Sequence, residues 1–88
     1  MNPWQRPVVA AAFGQVLREL RQQRGLTQEG LADVGGFDRT YPSLLERGLR
    51  TPTLSVLFRL ADCLGVSAPS LVQMTFARLL PKSTSASH

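Results

Sequence analysis

The side chains able to do chemistry in this chain are mostly arginines. Nine of its ten basic residues are arginine, set against six acidic residues, for a net charge of +4 over 88 residues. A guanidinium offers a planar fork of donors that fits phosphate oxygens, or the edge of a guanine, two bonds at a time; an ammonium is only a point charge. The balance points to a polyanion, nucleic acid first, with a merely solvated basic surface as the alternative. Catalytic chemistry is poorly provided for. His88 is the only histidine and stands at the last position, so no triad, zinc site or general-base dyad assembles around it. Most of the glycines fall at helix ends, and none stands in a phosphate-cradling loop with a lysine. No enzymatic activity, cofactor or metal is expected. The single cysteine, Cys63, cannot form an internal disulfide and reads as a small apolar filler rather than a redox switch. A reducing, cytoplasmic setting fits it.

The elements that must position these groups are helices. Apolar residues make up 43% of the chain, enough for one modest core and too few residues for two. Pro3 and Pro7 make residues 1–7 a poor helix, read as an N-terminal arm. From residue 8, Phe13, Val16, Leu17 and Leu20 recur at helical spacing until Gly25 stops the run. Thr27 caps a short second helix carrying Leu31 and Ala32, ended by Gly35 and Gly36. Asp38 is placed to cap a third helix running to about residue 47, before Gly48. Thr53 caps a fourth, with Leu54, Leu57, Phe58, Ala61 and Leu64 on one stripe up to Gly65. Ser67 with Pro69 opens a fifth that carries Leu71, Val72, Met74, Phe76, Leu79 and Leu80 and ends before Pro81. Residues 81–88 are small and polar and read as a disordered tail. The expectation is an all-α fold, a compact bundle of five short helices over residues 8–80, with no sheet. No apolar run nears the ~20 residues that span a bilayer. Residues 1–9 lack the pattern of a signal peptide, so no membrane is expected as a partner.

Residues 28–46 read as two short helices joined by a glycine turn, the arrangement that presents an outer helix to a major groove. The residue pattern goes further. Leu17-x-x-Leu20-Arg21, Gly25-Leu26-Thr27-Gln28, Leu31-Ala32, Gly36, Leu45-Glu46-Arg47-Gly48, Pro52-x-Leu54 and Leu60-Ala61-x-x-Leu64-Gly65-Val66 together resemble the Cro/phage-repressor class of helix-turn-helix proteins, the xenobiotic-response-element family. Asp38-Arg-Thr-Tyr41 with Ser43-Leu-Leu-Glu-Arg-Gly48 looks like its controller and regulator branch. The resemblance implies a lambda-repressor-like domain and a sequence-specific transcriptional regulator of double-stranded DNA, a dimeric repressor or controller on a palindromic operator. It also implies roles. The third helix reads bases, through Arg39, Thr40 and Leu44; for Arg39 a phosphate contact is the other reading. Gln28, Tyr41, Ser43, Arg47 and Arg50 fall where the family meets phosphate. Arg21 and Glu46 fall where it places a structural ion pair tying the first helix to the third.

Two positions depart from the family pattern. Pro42 stands where Ile or Val is usual; as the fourth residue of a helix capped by Asp38 it would delete the first helical bond, so Pro42→Ile is expected to melt higher. Gly35, where Ala or Val is usual, is expected to cost packing. The fifth helix is apolar around much of its circumference, which predicts a homodimer through that helix. An antitoxin covering a protein toxin with the same helix, or with an arm that includes Trp4, is the alternative.

Overall fold

The computed structural model describes residues 4–80. Five helices follow one another in them: α1 (Arg6–Gln23), α2 (Gln28–Gly35), α3 (Tyr41–Glu46), α4 (Leu54–Leu64) and α5 (Ala68–Leu79). No strand occurs among the described residues. The tail expected at residues 81–88, and the first three residues of the expected arm, lie outside them.

Each helix begins and ends for a local reason. Thr27, Thr53 and Ser67 cap α2, α4 and α5, their hydroxyls accepting from the N–H of Gly30 at 2.9 Å, Val56 at 3.3 Å and Ser70 at 3.1 Å. Each such cap contributes about 1 kcal/mol. The first four helices all close with one turn. A glycine takes a positive φ, which costs it nothing for want of a Cβ, and the apolar residue after it donates back into the helix. Leu26 donates to Arg21, Phe37 to Ala32, Leu49 to Leu44 and Val66 to Ala61, at 2.9 to 3.1 Å. Leu26, Phe37 and Val66 are thereby returned to the core.

One leucine from each helix, Leu17, Leu31, Leu45, Leu60 and Leu71, is fully buried at the centre, each contributing about 1.5–3 kcal/mol. Around them α1 packs on α3 and α5, α2 on α3 and α4, and α4 on α5. The approach of α1 to the end of α3 is backbone to backbone. A Cβ on Gly14 would lie 2.6 Å from the carbonyl oxygens of Leu45 and Glu46. No single described helix is long and apolar enough to cross a membrane.

Five expectations need correction. The arm is shorter than residues 1–7, because α1 already begins at Arg6. Pro7 fits its first turn, where an N–H would have no helical partner, and Trp4 folds back to stack on Phe76 with ring centroids 5.9 Å apart. Asp38 does not cap α3. Its carboxylate closes the preceding turn, accepting from the N–H of Thr40 at 3.1 Å and its hydroxyl at 2.6 Å, and Thr40 becomes the cap. Pro42 is consequently in the first turn, not the fourth position, with its ring fully buried. Its missing N–H breaks no helical bond, which removes the reason for Pro42→Ile to melt higher. At Gly35 the ring of Phe37 fills the place a Cβ would take, so the glycine admits packing rather than costing it. Finally, the inner stripe of α4 is narrower than drawn from spacing. Leu60, Ala61 and Leu64 are buried, but Leu54, at the helix start, and Phe58, beyond the packed edge, are exposed.

Candidate nucleic-acid interface

α3 is only six residues long, too short to hold its shape unaided, so its direction is set by what grips its ends. At its C-terminal end Glu46 accepts from Arg21 of α1 through both oxygens, Nε to Oε2 at 2.5 Å and Nη2 to Oε1 at 3.0 Å. Gln28, the first residue of α2, adds a third donor to Oε1 at 3.1 Å, and Arg21 Nη1 donates to the Leu26 carbonyl at 2.8 Å. The carboxylate side chain is 4% exposed and the arginine's 11%. The Glu46 hydrogen bond, ahead of the opposing effect of burial, raises the Arg21 pKa above its ordinary value. One cluster thus ties α1, α2 and α3 together.

At the other end, Arg59 of α4 holds the turn between α2 and α3. Its Nη2 donates to the carbonyls of Gly35 at 2.7 Å and Gly36 at 3.0 Å, and its guanidinium carbon lies 4.4 Å from the centre of the Phe37 ring. Phe37 in turn packs against Tyr41, ring centroids 5.7 Å apart. The Asp38 carboxyl that closes the next turn is held below the usual carboxylate range by the Thr40 hydroxyl and then by the Thr40 N–H.

Between these two grips the protein presents an open hollow lined by Gln28, Glu29, Arg39, Thr40, Ser43, Leu44 and Arg47. Six of the eight residues expected to touch DNA are therefore brought to one opening. Arg39 stands most clear, its side chain 78% exposed and paired to Glu29. Thr40 and Arg47 are exposed; Ser43 and Leu44 are half-buried. Chemically the hollow offers a guanidinium fork, a methyl and hydroxyl on Thr40, an isobutyl group, and peptide N–H groups in the first turn of α2 that have no partner within the helix. Donors and small apolar groups of this kind are what base edges and phosphates need.

The other two expected contacts lie elsewhere. Tyr41 is half-buried, its ring against the core and Phe37. Arg50 is exposed in a second groove, between the start of α1 and the loop after α3, with Arg6, Pro7, Ala10, Gly48, Leu49 and Thr51. Gln28 lines the hollow while its amide also donates to Glu46. Sequence reading missed Glu29, Arg59 and Arg6. Glu29 is marked in the sequence only as an acidic residue in a first helical turn, a common place for one. Arg59 sits within an apolar run, and nothing in its spacing points to a turn 23 residues earlier. Among the described residues no group of His, Cys, Asp and Glu side chains is placed to hold a metal.

Residues 17–71 match a protein family described as Helix-turn-helix. An uncharacterized HTH-type transcriptional regulator of Sinorhizobium fredii, y4dJ, is 47% identical over 62 residues, covering 70% of this chain and 80% of that protein. The restriction-modification controller protein C.AhdI from Aeromonas hydrophila matches in structure with a TM-score of 0.68 at 44% identity, over 70% of this chain and 94% of the other. The restriction-modification controller protein C.Esp1396I, solved as a tetramer with its natural 35 base-pair operator, matches with a TM-score of 0.73 at 32% identity, over 83% and 96%.

Proposed function

The chain belongs to the helix-turn-helix family of DNA-binding transcriptional regulators, and from that membership we propose that it grips a two-fold symmetric operator as a homodimer and represses or controls transcription from it. The observation that carries this reading is the convergence of Gln28, Arg39, Thr40, Ser43, Leu44 and Arg47 on one exposed hollow whose walls are fixed from both ends. In this reading α3 enters the major groove. Arg39 donates to guanine O6 and N7, a pairing worth about 1–3 kcal/mol of discrimination, and Thr40 and Leu44 touch base edges or a thymine methyl. Ser43 and Arg47 meet phosphate beside the groove, as does the first turn of α2 through the backbone of Gln28. Tyr41 and Arg50, with Arg6 beside Arg50, extend the backbone contacts. None of this asks for a catalytic group.

The dimer follows from size and from surface. A single short recognition helix reads few base pairs, and two held about 34–36 Å apart read successive major grooves. On α5, Val72, Phe76 and, just past its end, Leu80 are exposed, with Trp4 stacked beside them over an apolar cavity of about 310 Å³. Exposed apolar groups gathered in this way favour a partner surface, and a second copy of the same helix is self-complementary. A protein that stays monomeric in sedimentation at micromolar concentration would remove this part of the proposal.

The test of base reading is selection of bound sites from random DNA, repeated with Arg39→Ala. A preference lost at particular positions supports base contact. A uniform weakening, with the slope of log K against log salt reduced by about 0.9, would make Arg39 a phosphate contact instead.

A further inference from the structure

We propose that Glu29 is a positioning residue for base readout, holding Arg39 so that its free edge meets a base while discouraging the same arginine from settling on phosphate. The inference rests on the reading that Arg39 reaches a base edge. Arg39 Nε donates to Glu29 Oε2 at 3.0 Å, and Nη2 donates to the same oxygen. Both side chains are well exposed, 78% and 64%. An exposed pair of this kind adds about 0–1 kcal/mol to folding, so stability is a poor account of it.

Its position is costly for the expected ligand. Glu29 sets a carboxylate in the first turn of α2, among Gln28, Ser43 and Arg47, in the hollow that a polyanion must approach. Such a charge lowers affinity for every DNA sequence alike. What it returns is direction. The two donors taken by Glu29 form the side edge of the guanidinium. The end edge, one N–H each from Nη1 and Nη2, stays free, and those two parallel bonds match guanine O6 and N7. With the side edge held, Arg39 has already given up much of the rotamer freedom it would otherwise lose on binding. Without Glu29, the same long side chain can turn to the nearest phosphate, a contact that carries no sequence information.

The experiment measures binding of the full chain to three duplexes: the selected operator, the operator changed at the base pair whose preference Arg39→Ala abolishes, and random DNA. Glu29→Gln removes the charge and keeps the size. It should bind random DNA more tightly and discriminate between the first two duplexes about two- to fivefold less well, with a melting midpoint close to that of the parent chain. In an Arg39→Ala background the same change should raise all three affinities in step. The proposal is overturned if Glu29→Gln raises operator and altered-operator affinities equally, which leaves Glu29 a simple repulsive charge, or if it still alters discrimination when Arg39 is gone. Uniform weakening by Arg39→Ala alone would instead defeat the base reading itself and take this inference with it.

Discussion

Removing Arg21 should be among the most damaging single changes outside the apolar core. Arg21 supplies two of the three hydrogen bonds to the Glu46 carboxylate and the one to the Leu26 carbonyl. In Arg21→Ala a carboxylate with 4% exposure keeps one amide donor, from Gln28. Breaking a buried pair on one side costs about 3–5 kcal/mol. Here the arginine side chain is 11% exposed, so water can reach the edge of the site, and the low end, about 3 kcal/mol, applies. A domain of this size has roughly 4–13 kcal/mol in all, and each kcal/mol moves its melting midpoint by about 4–8 °C. The expected fall is therefore on the order of 15 °C, read by thermal melting and by urea unfolding at neutral pH with an unchanged slope. The damage comes from stranding a charge, so Arg21→Met combined with Glu46→Leu should recover about 1–2 kcal/mol of the loss. It should fall short of the parent by about 1–2 kcal/mol, because the Leu26 carbonyl and the Gln28 amide lose their partners. A loss below about 1 kcal/mol in Arg21→Ala would place the pair with ordinary surface pairs, and a double variant no better than the single would refute the stranded-charge account.

Two further outcomes follow from the geometry. Gly14→Ala puts a methyl 2.6 Å from two carbonyl oxygens of α3, and backbone cannot step aside as a side chain can. It should cost about 1–3 kcal/mol and weaken DNA binding beyond what unfolding explains, since the end of α3 must shift; a neutral result in both assays would mean that α1 and α3 are not held in register there. The Asp38 carboxyl is lowered by its bonds from Thr40. A lowered pKa in the folded state gives stability that is present above the ordinary aspartate range and is lost as pH falls through the lowered value. The Thr40 amide resonance should accordingly titrate with a midpoint below that range, and Asp38→Asn should abolish the titration. A midpoint at or above the ordinary range would contradict the bonded turn.

The fold was legible because its signals are local and repeated. Four glycines each precede an apolar residue, Gly25-Leu26, Gly36-Phe37, Gly48-Leu49 and Gly65-Val66, and each pair is a complete helix stop, with a left-handed glycine and a donor that returns to the helix. Three hydroxyls mark three starts. The hollow was legible only in part, and the reasons are physical. Arg39, Thr40, Ser43, Leu44 and Arg47 lie on one short stretch of chain, so a pattern that places one places all. Glu29 and Arg59 act across 10 and 24 residues, through side chains long enough to reach whichever element the fold brings near, and no spacing in the sequence records that. Pro42 shows the same limit at short range. Its effect depends on whether the helix begins at residue 39 or 41, and that choice is made by Asp38, whose carboxylate prefers the N–H and hydroxyl of Thr40 to the first turn beyond. Aspartate at such a position favours a cap and a local turn for the same chemical reason. The proline tips the balance between them. A helix starting at residue 39 would make Pro42 break a bond, whereas one starting at Tyr41 places the ring where no bond is lost and where it can be buried, so Asp38 and Pro42 together fix the start of α3.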